Sequence, residues 1–274
     1  MHCVECFFNA IPHGPLMKSV ARRVSDGQVL SVIKAWLNAP VNETTAHGPS
    51  RTTHARDKHR GTPQGGVISP LLANVYFRRF GLAYRRVGEL SSTRLVVYAD
   101  DFVICCPKGR GERAMAKMKE LMGRIGLEVN EEKTRLARFP SQRFDFLGYT
   151  FGAFYGRSGS PYWGTAISKT AMSRVTRKIH DATSTRWLLT TPDKRVEEVN
   201  RILRGWCGYF DQGPVFQPYR RIARYTERRI RRWLTKKHKQ RGTGYRQYPS
   251  EHLYGTLGLF DLHAQRISRM KAKA

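Results

Sequence analysis

The sequence predicts a two-part chain: a mixed α/β (α+β) half built on an antiparallel sheet, followed by an all-α and strongly basic half. Three observations point there. Short apolar, β-branched runs alternate with amphipathic stretches up to about residue 155. Beyond that point the strand signals fade and three- and four-residue apolar spacing takes over. Arginines and lysines then crowd the faces opposite the apolar stripes. The expected division is 1–154 and 155–274, with the turn-rich "YGRSGSPYWG" as the joint.

Hydrophobic residues make up 40% of the 274, enough for packed cores, which excludes global disorder. Lysine plus arginine number 49 against 21 acidic residues, a net charge of +28. An excess of that size repels itself and makes sense beside a polyanion, with nucleic acid the leading partner. A membrane surface is the rival, but no apolar run approaches the roughly 20 residues of a spanning helix. "MHCVECFFNAIPHGP" shows neither the charged start nor the long apolar core of a signal peptide. Five cysteines, an odd number in a large chain, suit a reducing compartment, so a cytoplasmic location is expected. Cys3 and Cys6 have metal-ligand spacing, but no second such pair follows, and zinc is a distant second to buried or incidental thiols.

The elements follow in order. Leu16, Val20, Val24, Val29, Leu30, Ile33 and Trp36 predict one helix over 14–37. Residues 45–62, polar, basic and rich in turn formers, predict a loop. Leu71, Leu72, Val75, Tyr76 and Phe80 predict a helix starting at Ser69-Pro70, a serine cap before a first-turn proline. A hairpin around Asp100 comes next. A helix over 111–125 then carries Ala114, Met115, Met118, Leu121, Met122 and Ile125 on one face. "GLEVNEEKTRLARF" and "FDFLGYTF" supply a turn and two short strands. In the second half, Thr191-Pro192 caps a helix bearing Val196, Val199, Ile202, Leu203 and Trp206, and Gly213-Pro214 punctuates its end. A further helix from about Pro218 to Lys239 has the stripe Ile222, Thr226, Ile230, Trp233 and Leu234, with Glu227 its sole acid.

The hairpin "RLVVYADDFVICC" places Asp100 and Asp101 side by side between two apolar runs. Aspartate is depleted from strands and like charges repel. One reading is a plain turn, where aspartate is common. The other is a cation site: the flanking runs predict a largely buried sheet, and carboxylates held there need a neutralising metal. Magnesium is held by one or two carboxylates plus substrate phosphates, and a pair of such ions serves nucleotidyl transfer. The local pattern leaves the two readings even.

The neighbouring motifs separate them. "GTPQGGVISPLLANVYF", "YADD", "GLEVNEEKT" and "FDFLGYTF" occur in this order, and together they resemble the palm of reverse transcriptases encoded by group II introns. "VNRILRGWCGYF" and "YTERRIRRWLTKKHK" resemble that family's thumb and maturase region. The resemblance covers nearly all of the chain. It implies a palm over 1–154 and a thumb/maturase domain over 155–274. It also implies Mg2+-dependent DNA synthesis on an RNA template with a DNA primer, from deoxynucleoside triphosphates, and binding of group II intron RNA for splicing. Asp100 and Asp101 are then metal-binding. Pro63, Gln64 and Gly65 line the nucleotide pocket, with Ser69, Pro70 and Asn74 completing that block. Lys133 protonates or neutralises the departing pyrophosphate, its alternative being a solvated lysine. Phe146, Leu147 and Gly148 hold the primer end, their alternative a plain hairpin core.

RNA binding is expected on the basic helical faces, at Arg204, Arg220, Arg221, Arg224, Arg228, Arg229, Arg231, Arg232, Lys236 and Lys237. Two positions depart from the family pattern. Counting eight residues back from Ile11, where the resemblance implies a third metal-binding aspartate, lands on Cys3, and the neighbouring acidic position is Asn9. The family's finger region precedes this strand, whereas Met1 stands two residues before Cys3. The expectation is a remnant of palm and thumb without fingers, in which RNA binding without polymerase chemistry is the alternative function.

Overall fold

The computed structural model describes residues 2–3, 10–43, 51–54, 59–62, 66–99, 101–132, 134–139, 141–156 and 159–264. The chain forms two compact units that divide between Ala137 and Arg138. The first contains β1 (His2–Cys3), α1 (His13–Ala21), α2 (Gly27–Asn38), β2 (Pro40–Glu43), β3 (Arg51–His54), α3 (Ser69–Arg86), β4 (Arg94–Tyr98), β5 (Asp101–Cys105) and α4 (Gly111–Arg124). The second contains β6 (Phe144–Phe146), β7 (Tyr149–Tyr155), β8 (Pro161–Ile167), α5 (Lys169–Ala182), α6 (Pro192–Tyr209) and α7 (Phe216–Lys237).

The helix expected over 14–37 is two helices. Asp26 interrupts it, its Oδ1 accepting from the amides of Gln28 at 2.7 Å and Val29 at 3.2 Å. An aspartate that satisfies two first-turn donors starts a new helix rather than continuing an old one. Re-phasing turns Ile33 and Leu37 inward and leaves Val29 and Trp36 half exposed. At α3 the cap position is Ile68, with no side-chain cap bond, while Ser69 lies buried inside the first turn beside Pro70.

The sheet of the first unit has the order β1-β5-β4, all antiparallel. One face packs on helices. Phe102 is fully buried, its ring 5.7 Å from Phe80 and 5.9 Å from Phe77 of α3, with Met118 and Met122 of α4 in the same core. On the other face Arg94, Val96 and Tyr98 are exposed, while Val103 of β5 is buried. The expected largely buried sheet is therefore half open, because helices cover one side of it and an apolar run does not reveal which side has a cover. Gly126, at φ 70°, ends α4 in the left-handed region, where the Leu127 amide bonds the Met122 carbonyl at 3.1 Å.

In the second unit β6, β7 and β8 form an antiparallel meander. Strand β8 begins at Pro161, inside the stretch that composition marks as a turn-rich joint. Tyr162 and Trp163 are strand formers whose partners, Phe154 and Ala153, lie across the turn. The composition boundary at 154/155 thus falls at the last residue of β7, inside a hairpin. The contact boundary comes earlier, because Tyr149 and Ile167 share a core with the helices that follow. From Lys169 onward the described elements are helical. Of the predicted α6 stripe, Val196, Val199, Leu203 and Trp206 are buried and Ile202 partly so; Ile222, Thr226, Ile230, Trp233 and Leu234 on α7 are all buried. Among the described residues no helix is long and apolar enough to cross a membrane.

Replacing Asp26 with alanine should cost about 1 kcal/mol, the usual value of a lost N-cap. Thermal melting should show a midpoint lower by a few degrees, with α2 amides exchanging faster.

Candidate palm site and nucleic-acid interface

Tyr98 and Asp101 are cross-strand partners, so Ala99 and Asp100 are the whole connection between β4 and β5. Two-residue hairpins favour left-handed backbone, which matches the strand twist. Ala99 adopts it at φ 51°, a conformation that costs an L-residue about 1 kcal/mol or more. Asp101 opens β5 and is half-buried, facing Tyr98 on one side and Cys3 of β1 on the other. Tyr98, 60% exposed, shares the open face with it.

This register decides how well a divalent ion suits the turn. Carboxylate oxygens fit a hard cation, but the position directly across the ladder from Asp101 is a cysteine, whose sulfur suits softer metals. The described residues alone bring together no group of three metal-ligating side chains.

Phe146 pairs with Tyr149, leaving Leu147 at φ 50° and Gly148 at φ 78° as a two-residue turn with both central residues left-handed. A Cβ on Gly148 would meet the Phe210 ring at 2.9 Å, so this glycine answers both a backbone and a packing demand. The turn is tied to the end of α6. The Tyr209 hydroxyl donates to the Leu147 carbonyl at 3.0 Å, and the Tyr149 hydroxyl donates to the Tyr209 carbonyl at 2.9 Å. Burial, the largest influence, raises the Tyr149 phenol above its ordinary pKa.

The expected RNA-binding cations separate into two groups. Arg221, Arg224, Arg228, Arg232 and Lys236 are exposed and recur at helical spacing on α7, a ridge roughly 22 Å long at 1.5 Å per residue. Arg220 is exposed beside this ridge, and Arg204 is exposed on α6, its guanidinium 5.4 Å from the Phe260 ring centre. Arg231, Arg229 and Lys237 instead hold the fold. Arg231 is 2% exposed and donates to Glu227 at 3.0 Å, to the Tyr248 carbonyl at 2.9 Å and to Ser250 at 2.9 Å. Glu227 also accepts from the Tyr254 hydroxyl at 3.0 Å; burial first, then the Glu227 charge, keep that phenol protonated far above its usual range. Arg229 donates to the carbonyls of His180 and Thr183, closing the end of α5, and Lys237 donates to the Leu188 carbonyl. Arg195, which sequence reasoning missed, adds a bond to the Ala182 carbonyl at 2.8 Å. Helical spacing marks these residues only as cationic, and the carbonyls that claim them lie on other elements.

Asp100, Lys133, Pro63, Gln64 and Gly65 lie outside the described residues, as does Asn9. Pro70 and Asn74 are exposed on α3.

Arg231→Gln should lower the stability of the second unit by about 3 kcal/mol, since it strands Glu227 in a mostly buried place. Arg228→Gln should leave it within about 0.5 kcal/mol. Urea unfolding of the two variants checks the contrast, and equal midpoints would remove the distinction between structural and free cations.

Residues 4–151 match the family model for reverse transcriptase (RNA-dependent DNA polymerase), and residues 172–249 match the group II intron, maturase-specific domain. Protein YkfC of Escherichia coli (strain K12) is 29% identical over 179 residues, covering 53% of this chain and 44% of that protein. An uncharacterized 91 kDa protein in cob intron of Schizosaccharomyces pombe is 21% identical over 281 residues, covering 76% of this chain and 34% of that protein. The chain thus spans less than half the length of either relative. Enzymes of the matched family generally use divalent metal ions. An antiparallel sheet packed on helices, followed by basic helices, agrees with both matched models: the chain belongs to the reverse transcriptase family, among the group II intron members that carry a maturase domain.

Proposed function

We propose that this chain binds group II intron RNA through its basic helices and supplies the palm for DNA synthesis on an RNA template. The observation that carries the binding part is the α7 ridge, exposed cations opposite a fully buried stripe. Such a surface contacts phosphates and shape rather than base edges, as maturation of a structured RNA requires. In the synthetic part a primer 3′-hydroxyl attacks the α-phosphate of a deoxynucleoside triphosphate. Asp100 and Asp101 are the proposed magnesium ligands and Lys133 the group beside the departing pyrophosphate. Pro63, Gln64 and Gly65 would contact the nucleotide, and Phe146, Leu147 and Gly148 the primer end. A cytoplasmic setting belongs to the proposal, since an odd number of cysteines in a large chain suits a reducing compartment.

One observation favours a second reading, RNA binding without synthesis: the cysteine opposite Asp101. Magnesium titration separates the two. Cys3→Asp should tighten magnesium binding by about tenfold, the effect of roughly 1.4 kcal/mol, and Asp101→Asn should weaken it. Primer extension by the unmodified chain that Asp101→Ala abolishes would establish synthesis; none, beside retained RNA binding, would establish the second reading. For binding itself, Arg224→Gln, Arg228→Gln and Arg232→Gln together should flatten the log–log salt dependence of intron RNA affinity by about two to three. An unchanged slope would remove the α7 ridge as the RNA surface.

A further inference from the structure

A cleft of about 650 Å³ runs beside the outer strand β4 of the first unit. That volume is typical of ligand sites. One wall is α3, which contributes Arg78 and Arg85, seven residues and therefore roughly 10 Å apart along one helix face. Arg94, the first residue of β4, closes the other side, and Ser91 and Thr93 add hydroxyls between them. All three arginines are exposed, and among the described residues none of them forms an ion pair. Among the described residues no acidic side chain lines the cleft. Leu82, Leu95 and Val97 give it uncharged surface.

Three guanidiniums gathered around one concavity repel each other and complement an anion that offers several charges in a row. Guanidinium forks suit phosphate oxygens in particular. A lipid surface is flat and asks for a protruding apolar face, which a concave cleft with a charged rim does not provide. A protein partner would bury an apolar centre, whereas here three guanidiniums rim the opening. A sugar–phosphate strand fits on both counts, with phosphates at the rim and ribose against the uncharged wall. We propose that this cleft holds the sugar–phosphate backbone of an RNA strand, a second RNA contact separate from the α7 ridge. The proposal rests on the reading that the chain binds RNA.

The test uses the full chain and a labelled group II intron RNA, with affinity measured by fluorescence anisotropy across a salt series. Arg78→Gln, Arg85→Gln and Arg94→Gln together should flatten the log–log slope by about two to three, for three phosphates at 0.7–0.9 each. The same three positions changed to lysine should keep the slope, because charge rather than shape sets counterion release. Thermal melting should match the parent in both variants, since all three side chains are exposed. Combining the glutamine set with the α7 set should add the two losses. An unchanged slope in the cleft variant, with the α7 variant flattened, overturns the cleft and leaves the ridge standing. The reverse result removes the ridge and supports the cleft, and absence of RNA binding by the parent chain overturns both.

Discussion

Mutual repulsion among the cations of α7 is the constraint that the second unit is built around. Two unit charges about 6 Å apart in water repel by roughly 0.7 kcal/mol, and neighbours on that helix repeat the penalty along its length. Burying Ile222, Ile230, Trp233 and Leu234 contributes about 1.5–3 kcal/mol per side chain, so the apolar stripe outweighs the repulsion and the helix forms. The remaining strain is relieved by taking some cations out of the field. Arg231 is drawn inside against Glu227, while Arg229 and Lys237 are turned onto carbonyls of the α5–α6 region. What stays outside is a thinner ridge, and that ridge is what a polyanion can meet.

This sorting explains which parts were legible beforehand. The stripe of α7 follows from spacing alone, because an amphipathic helix writes its buried face into consecutive residues. Arg228 and Arg231 look alike on that basis. They differ because Tyr248 and Ser250, from a later segment, fold back onto Arg231. The same reasoning covers the first unit. Asp26 breaks the helix by capping a new one, but the apolar residues on both sides keep the helical period going and conceal the break. Strand β8 was hidden because its pairing information sits in β7 and the glycine-rich sequence between them reads as a joint.

At the hairpin the motif located the acidic pair, and the apolar flanks misled about its surroundings. Helices cover one face of the β1-β5-β4 sheet, so Asp101 and Tyr98 meet an open face rather than an enclosed one. Asp101 is half-buried there rather than enclosed.

The two proposed activities place different demands on this framework. Gripping RNA is a sum of phosphate contacts, each modest and tolerant of an ångström of movement, so it degrades gradually as cations are lost. Nucleotidyl transfer depends on donors placed to within a fraction of an ångström, and a single wrong ligand removes a large part of the charge stabilisation at once. Cysteine opposite Asp101 therefore weighs on synthesis without touching the α7 ridge, because it lies on the sheet of the first unit and the ridge lies on a helix of the second. The division of the chain into two units lets one function drift while the other is held. Each unit keeps its own core, so a change at the palm leaves the packing that displays the α7 cations intact.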